Sequence, residues 1–159
     1  MKVKDLAQRL LEHMGFEKIQ IDVEEGEFFE VSLKTSEEES GLLIGYHGET
    51  LAAIQKFLQM ATRESGEEKK IVVNINDYKE RRKLQLEEEA AEIARQVIEL
   101  GRVYVYGYLP ANERLIIHQY ISGSEEFKDE LESISSGEGS ARRLELRPRK
   151  KSSTEKTAA

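Results

Sequence analysis

The sequence predicts an α+β protein built from two small domains. Alternating apolar segments occur near the N-terminus and again near the C-terminus, with helical segments grouped between them. A chain of 159 residues with 38% apolar residues can bury two small cores. The long helix predicted from Tyr78 has a mostly polar first half, which is typical of a helix that bridges two modules. We therefore expect a first domain over residues 1–77 and a second over residues 78–149.

The first domain begins as a helix followed by a β-hairpin. Apolar residues recur at helical spacing over residues 2–14, and Gly15 ends this helix. A polar turn at residues 24–27 joins two alternating segments that predict strands. The first strand is marked by Ile19, Ile21 and Val23, and the second by Phe29, Val31 and Leu33.

The rest of the first domain is helical and ends in a strand. A polar stretch at residues 35–40 and a short apolar turn at residues 42–44 lead to Gly45 and Gly48. A strand over residues 70–76 is the last element. The predicted order is α-β-β-α-α-β, with the glycines between the last two helices. The helix after the glycines runs from about Glu49 to Arg63, with an apolar stripe of Leu51, Ile54, Phe57, Leu58 and Ala61.

The second domain is predicted to contain a long helix, a three-stranded sheet and a short helix. The long helix, residues 78–100, buries mainly its second half, through Ala90, Ile93, Ala94, Val97 and Ile98. Strands are expected at residues 103–106, 127–135 and 142–147, a short helix at residues 112–121, and a glycine-rich connection at residues 136–140. Residues 150–159 have the composition of a disordered basic tail.

Charge is distributed unevenly along the chain. The formal net charge of −7 by itself disfavours a nucleic-acid partner, because phosphate binding needs positive potential. Residues 141–156, however, contain seven basic and two acidic residues, a local net charge of +5. The sequence therefore places a basic segment, able to hold a polyanion, after an acidic body.

The composition also restricts the compartment and the chemistry. The chain has no cysteine, which excludes disulfides and thiolate zinc sites and suits a reducing compartment. It shows neither a signal peptide nor an apolar stretch approaching the roughly 18 residues of a spanning helix. We therefore expect a cytoplasmic protein without membrane insertion.

The segment LLIGYHGETL, residues 42–51, contains a G-x-x-G pattern in front of a helix. Glycines let a backbone approach a phosphate closely, and the next helix offers unpaired N–H groups and the positive end of its dipole. A KH domain clamps about four nucleotides of single-stranded nucleic acid with such a loop. The alternative is an ordinary turn before a helix. Under the first hypothesis Gly45, Tyr46, His47 and Gly48 hold the nucleic-acid backbone, while Leu43, Ile44 and Leu51 receive bases.

The segment GLLIGYHGETLAAIQKFL resembles the KH segment of the bacterial Jag family, also called KhpB or SpoIIIJ-associated proteins. The resemblance implies a type II KH domain followed by an R-three-H domain, named for an arginine and a histidine separated by three residues. The segment NERLIIHQY places Arg114 and His118 at that spacing on one helix face. The segment SSGEGSARRLEL resembles the glycine-rich hairpin of the same family.

The resemblance also implies a function. It indicates a single-stranded RNA-binding protein that acts in post-transcriptional control linked to the cell envelope, elongation or division. It further implies a small single-KH partner of the KhpA type, while a homodimer is the alternative. The competing interpretation is a protein-interaction module with a KH fold that binds nucleic acid weakly or not at all.

Three features depart from the family pattern. Tyr46 and His47 occupy positions where KH loops tend to have lysine or arginine, so the loop lacks a permanent cation. The extra N-terminal domain and linker of many Jag proteins are not expected here. The sequence GYLPAN before the Arg114 helix also differs from the pattern expected there.

Basic residues of the second domain are further candidates. Arg114 and His118 contact phosphate in one interpretation and hold the helix to the sheet in the other. Arg143 and Arg147 alternate with Leu144 and Leu146, so they share one face of the last strand. Together with Arg149 they either hold a phosphate backbone or serve solubility.

The sequence offers little for catalysis. Its three histidines are scattered, and no phosphate-binding loop motif, metal-ligand spacing or nucleophile motif is present. We expect a binding protein with no catalytic residue, metal or cofactor.

Overall fold

The computed structural model describes residues 2–150 and shows two compact units that divide between Arg81 and Arg82. The division lies within the first turns of the long helix, a few residues after the predicted boundary at Asp77. The predicted basic tail at residues 150–159 falls outside the described residues, apart from Lys150.

The first unit has the predicted order α-β-β-α-α-β. Its mixed sheet has the order β1-β2-β3, with β1 and β2 antiparallel and β2 and β3 parallel. A 3-10 turn, Tyr46–Gly48, separates the second and third helices. The elements are α1 Val3–His13, β1 Gln20–Glu25, β2 Phe29–Lys34, α2 Glu37–Ile44, α3 Glu49–Glu64 and β3 Ile71–Ile75.

Alternation and helical periodicity account for the core of this unit. Helix α1 buries Val3, Ala7 and Leu11, which are four residues apart and therefore share one face. Strand β2 buries every second residue, because successive side chains of a strand point to opposite faces. One face of the sheet thus packs against the helices and the other remains open.

Two local predictions for the first unit were wrong. The polar stretch at residues 35–40 is largely the start of α2, where the Ser36 hydroxyl accepts a hydrogen bond from the Glu39 backbone N–H at 3.3 Å. Three glutamates in the first turn also suit the positive end of the helix dipole. Phe57, assigned to the apolar stripe of α3, is instead 50% exposed.

The second unit contains most of the predicted long helix, whose residues 78–81 belong to the first unit, together with the short helix and the three-stranded sheet. The sheet has the order β4-β6-β5, and both pairings are antiparallel. Its core combines residues of both helices with Phe127 and with Leu144 and Leu146 of the central strand. The elements are α4 Tyr78–Leu100, β4 Tyr104–Val105, α5 Ala111–Gly123, β5 Leu131–Ser136 and β6 Arg143–Pro148.

The edges of these elements differ from the predictions. Of the predicted segment only Tyr104 and Val105 pair as a strand, although the Tyr106 N–H still donates to the Leu144 carbonyl at 2.9 Å and the Tyr106 side chain is buried. Phe127 is fully buried in the turn before β5 rather than within the strand. Ile98, predicted to be buried, is 38% exposed on α4.

A buried ion pair accounts for part of the polar first half of α4. The Arg82 guanidinium donates to both carboxylate oxygens of Glu113, from Nε at 2.7 Å and from Nη2 at 3.0 Å. The Glu113 side chain is 2% exposed and that of Arg82 is 19% exposed. This bidentate contact joins α4 to the first turn of α5, next to Arg114.

Candidate nucleic-acid interface

Gly45 ends α2 in a backbone conformation that is essentially restricted to glycine. Its φ of 71° and ψ of −171° lie in a region that side chains with a Cβ atom almost never occupy. A Cβ atom at this position would also lie 2.9 Å from Thr50 Cβ and 3.1 Å from the Thr50 nitrogen, and it would clash with the Thr50 hydroxyl. The chain can therefore turn from α2 to α3 here because residue 45 is glycine.

His47 and Gly48 have left-handed backbone conformations. Gly48 has φ 79° and ψ 16°, and His47 has φ 49° and ψ 28°. Gly48 precedes the first residue of α3 and contributes no side-chain cap, so the backbone itself forms the surface at the start of that helix. Tyr46 is 65% exposed, and its ring meets the His47 ring edge-on at a centroid distance of 4.3 Å. The groups at the loop surface are thus backbone atoms, the Tyr46 ring and the His47 imidazole.

The residues predicted to receive bases do not form an open groove. Leu43 is fully buried and Leu51 is 4% exposed, and both belong to the hydrophobic core of the first unit. Ile44 is half-buried against that core. The apolar groups exposed at the loop are instead Leu42, at 66%, and the Tyr46 ring. The sequence pattern predicted apolar residues around the loop. It could not show which of these residues face the core and which face the solvent.

In the second unit a surface groove brings Arg114 and His118 of α5 together with strand β5 and with Arg142. Ser133 and Ser135 contribute hydroxyl groups to its β5 side. The groove is therefore lined by two arginines, a histidine and two serines, with the apolar residues Ala111, Leu115 and Leu144 beside them. This donor set suits the non-bridging oxygens of a phosphate.

The Arg114 and His118 side chains also make structural contacts. Arg114 Nη1 donates to the Leu109 carbonyl at 2.5 Å, which ties the helix to the loop before it. Nδ1 of His118 is hydrogen-bonded to the Ser133 hydroxyl, which ties the helix to β5. Both side chains are thus held in fixed positions at the groove. These contacts agree with the structural interpretation and leave each residue a surface that faces the groove.

Arg142 is a groove residue that was not among the predicted site residues. Its Nε donates to the Ser135 hydroxyl at 2.9 Å, and its Nη1 donates to the Gly137 carbonyl at 3.2 Å. Gly137 has φ 93°, and a Cβ atom there would lie 3.0 Å from the Ala141 carbonyl oxygen. The conformation of the glycine-rich hairpin therefore positions the oxygen atoms that accept hydrogen bonds from the Arg142 guanidinium. In the sequence, the feature that could have pointed to Arg142 is the pair of adjacent arginines, Arg142 and Arg143, after the glycine-rich loop.

The three other arginine candidates make local contacts on and around β6. Arg143 donates to the Ser140 carbonyl at 2.6 Å, and Arg149 Nε donates to the Leu131 carbonyl at 2.8 Å. Arg147 pairs with Glu145 at 2.6 Å, which offsets its charge. Arg143 and Arg147 share the strand face opposite Leu144 and Leu146, as alternation predicts. These three residues are not among those that line the groove around Arg114.

Within residues 2–150, no group of three or more histidine, aspartate or glutamate side chains could hold a metal ion. Over the same residues, no helix is long and apolar enough to cross a membrane.

Comparison with known proteins identifies the first unit. Residues 2–75 match the family model described as KhpA/KhpB, KH domain. The chain is 34% identical over 108 residues to the RNA-binding protein KhpB of Bacillus subtilis, a match covering 67% of this chain and 51% of that protein. It is 32% identical over 105 residues to KhpB of Lactiplantibacillus plantarum, covering 65% and 32% of the two chains.

A third relative is KhpB of Streptococcus pneumoniae serotype 2, with 36% identity over 94 residues, covering 58% of this chain and 28% of that protein. The chain therefore spans about half or less of the length of these curated relatives. The family resemblance seen in the G-x-x-G segment is confirmed. The chain belongs to the KhpB, or Jag, family, and residues 2–75 form its KH domain.

Proposed function

We propose that this protein binds single-stranded RNA, and that it acts by binding rather than by chemistry. The observation that carries the proposal is the G-x-x-G loop of the KH domain. Its first glycine has a backbone conformation that excludes other residues, and its second begins α3 without a capping side chain. A loop of this shape lets a phosphate approach backbone and a helix N-terminus together.

The groove of the second unit supports the same function by a different chemistry. Arg114, His118 and Arg142 face it, with the hydroxyls of Ser133 and Ser135 beside them. Fixed guanidinium groups hold phosphate oxygens with little loss of side-chain freedom, because other contacts already order them. In this proposal the second unit is the R-three-H domain, and it adds a second RNA-contacting surface to that of the KH domain.

The proposal also covers setting and partners. The relatives carry the name RNA-binding protein KhpB, and the matching family model is described for KhpA and KhpB together. We therefore propose a second KH protein of the KhpA type, or a second copy of this chain, as a partner. We place the activity in the cytoplasm, where it would serve post-transcriptional control of genes for the cell envelope, elongation or division.

Fluorescence anisotropy with a labelled single-stranded RNA pool, and with a duplex RNA of matched length, tests the proposal. The intact chain is compared with a Tyr46→Asp/His47→Asp variant, whose anionic side chains should repel phosphate from the loop. The matched control is Lys4→Gln/Lys18→Gln, which makes the same change in net charge at exposed positions of the KH domain. Circular dichroism verifies that each variant is folded.

The proposal expects the intact chain to prefer single strands, the loop variant to bind more weakly, and the control to bind as the intact chain does. Equal loss in the loop variant and in the control would show a general charge effect and contradict a role for the loop. Failure of the intact chain to bind single-stranded RNA at any salt concentration would reject the function.

A further inference from the structure

The residues that follow β3 lie against the same face of α3 that begins at the G-x-x-G loop. A Cβ atom at Gly48 would lie 3.5 Å from the Tyr78 ring, so that ring packs next to the loop. Gly48, Ala52 and Gln55 are spaced i, i+4 and i+7 and therefore form one strip along the helix. Ala52 is exposed and small, which leaves the strip open between its ends.

Glutamines of α3 cover the edge strand along this strip. Gln55 Oε1 accepts a hydrogen bond from the Val73 N–H at 3.0 Å, and Gln59 Oε1 accepts one from the Ile71 N–H at 2.7 Å. Gln59 Nε2 in turn donates to the Lys69 carbonyl at 3.0 Å. An uncovered edge strand would be ready to pair with another chain, so these contacts close it. These hydrogen bonds hold the Gln55 and Gln59 side chains in place against β3.

Lys79 projects onto this strip from the start of α4. Its Nζ lies 3.4 Å from Gln55 Oε1, two helical turns beyond Gly48. Glu30, Glu80 and Lys70 are the other charged groups that influence it, and Glu80 accepts a hydrogen bond from the Asn74 amide at 3.2 Å. Burial lowers the pKa of Lys79, as expected for an ammonium that is partly removed from water.

We infer that Lys79 is a phosphate-contacting residue of the KH domain and supplies the cation that Tyr46 and His47 do not. Seven residues of helix from Gly48 to Gln55 rise about 10 Å. Four nucleotides, the length a KH domain clamps, cover about 10 Å even when fully stacked at about 3.4 Å per nucleotide. A strand held at the loop and lying along the strip therefore reaches the Lys79 ammonium. This inference rests on the proposed RNA binding and adds a residue to it.

The test measures the salt dependence of RNA binding by the full chain, using the labelled single-stranded RNA pool. Each phosphate neutralised on a single strand contributes about 0.7 to the slope of log K against log salt concentration. Lys79→Gln should therefore lower the slope by about 0.7, and Lys79→Arg should keep it. Lys56→Gln is the matched control, because Lys56 is exposed on the same helix but lies about 100° around it from Gln55.

The outcomes separate this inference from the proposed function. A lower slope for Lys79→Gln, with Lys56→Gln unchanged, supports the contact. If Lys79→Gln keeps the slope of a chain that does bind RNA, the contact is rejected and the RNA-binding function stands. If both variants lose slope equally, the effect is one of overall charge and the contact is rejected. If the intact chain shows no salt-dependent binding, both the function and the contact are rejected.

Discussion

The G-x-x-G loop and the Arg114 groove, the two surfaces proposed to hold RNA, are built in opposite ways. The loop is made of backbone, with Gly45 in a conformation restricted to glycine and with no lysine or arginine between the glycines. The groove is made of side chains, with Arg114 and Arg142 fixed by carbonyl and hydroxyl acceptors. A backbone site depends on conformation, while a side-chain site depends on charge.

Each surface should therefore be sensitive to a different kind of substitution. Substitutions that change backbone conformation should damage the loop, and substitutions that remove charge should damage the groove. Salt should weaken a contact made by guanidinium groups more than one made by neutral N–H donors, because the former releases more counterions.

Removing the buried partner of Arg82 should break the scaffold of the groove and leave the loop intact. We expect Glu113→Ala to lower the free energy of unfolding of the second unit by about 3 kcal/mol, because it leaves a largely buried guanidinium without its carboxylate. Urea denaturation measures the change. The matched control is Glu126→Ala, which removes a carboxylate from the exposed pair with Arg95 and should change stability little. Equal effects of the two substitutions would contradict the importance assigned to burial.

The two loop glycines should differ in their tolerance of a side chain. We expect Gly45→Ala to destabilise the KH domain by about 2 kcal/mol, because it combines a forbidden backbone region with a clash against Thr50. Gly48→Ala should cost about 1 kcal/mol, since its left-handed conformation is less restricted and its nearest neighbour is in ordinary contact. Thermal unfolding of both variants measures this. A larger loss for Gly48→Ala would show that the loop conformation described here is wrong.

The groove should show its dependence on charge through salt. We expect Arg114→Gln/Arg142→Gln to weaken binding of single-stranded RNA about tenfold, or about 1.4 kcal/mol, with a slope lower by about 0.7 for each lost phosphate contact. Anisotropy titrations across a salt series measure both quantities. Arg95→Gln/Arg102→Gln makes the same charge change at exposed positions outside the groove. An unchanged slope in the groove variant would remove these arginines from the interface.

A substitution at Tyr106 should change the stability of the second unit without changing its proposed contacts with RNA. Its hydroxyl is buried and has no hydrogen-bond partner among the residues that the structure describes. We expect Tyr106→Phe to raise the free energy of unfolding by about 1 kcal/mol, because it removes an unsatisfied polar group. RNA affinity should stay the same, since Tyr106 does not line the groove. Tyr104→Phe, at a position that is 40% exposed, serves as the control.

The Tyr106 hydroxyl should also make the stability of the second unit depend on pH in the alkaline range. Burial raises the pKa of the Tyr106 hydroxyl, so above about pH 10 this tyrosine ionises in the unfolded chain but not in the folded one. The unfolded state is then favoured, and stability should fall as the pH rises above about 10. Tyr106→Phe should show a smaller fall in chemical denaturation experiments across this range. An identical pH dependence in both proteins would contradict the burial of an ionisable hydroxyl.

Periodicity predicted the order of elements in both units, because most of the helices and strands cover a core with a regular apolar stripe. It failed where side chains and backbone make particular contacts. The Ser36 side chain caps α2, so that this helix begins within a stretch predicted only as polar, and both residues of the short strand β4 are exposed. The position of Leu43 in the core follows from the packing of α2 on the sheet, which the sequence around the glycines does not reveal.

The candidate site was predictable to a similar extent. Gly45 and Gly48 were found from their spacing, and Arg114 and His118 from the family resemblance. Arg142 and Lys79 required the structure, since each gains its position from residues distant in sequence or across a hairpin. Arg147 shows the reverse case, because its partner Glu145 offsets a charge that the sequence counted as available.

A single-stranded RNA titration that compares four proteins tests most directly whether the chain holds RNA at two surfaces. The four proteins are the intact chain, the Tyr46→Asp/His47→Asp loop variant, the Arg114→Gln/Arg142→Gln groove variant and the combination of all four substitutions. Two contributing surfaces predict weaker binding for each double variant and the weakest binding for the combination. If either double variant bound as tightly as the intact chain, or the combination bound no more weakly than one double variant, the claim would be contradicted.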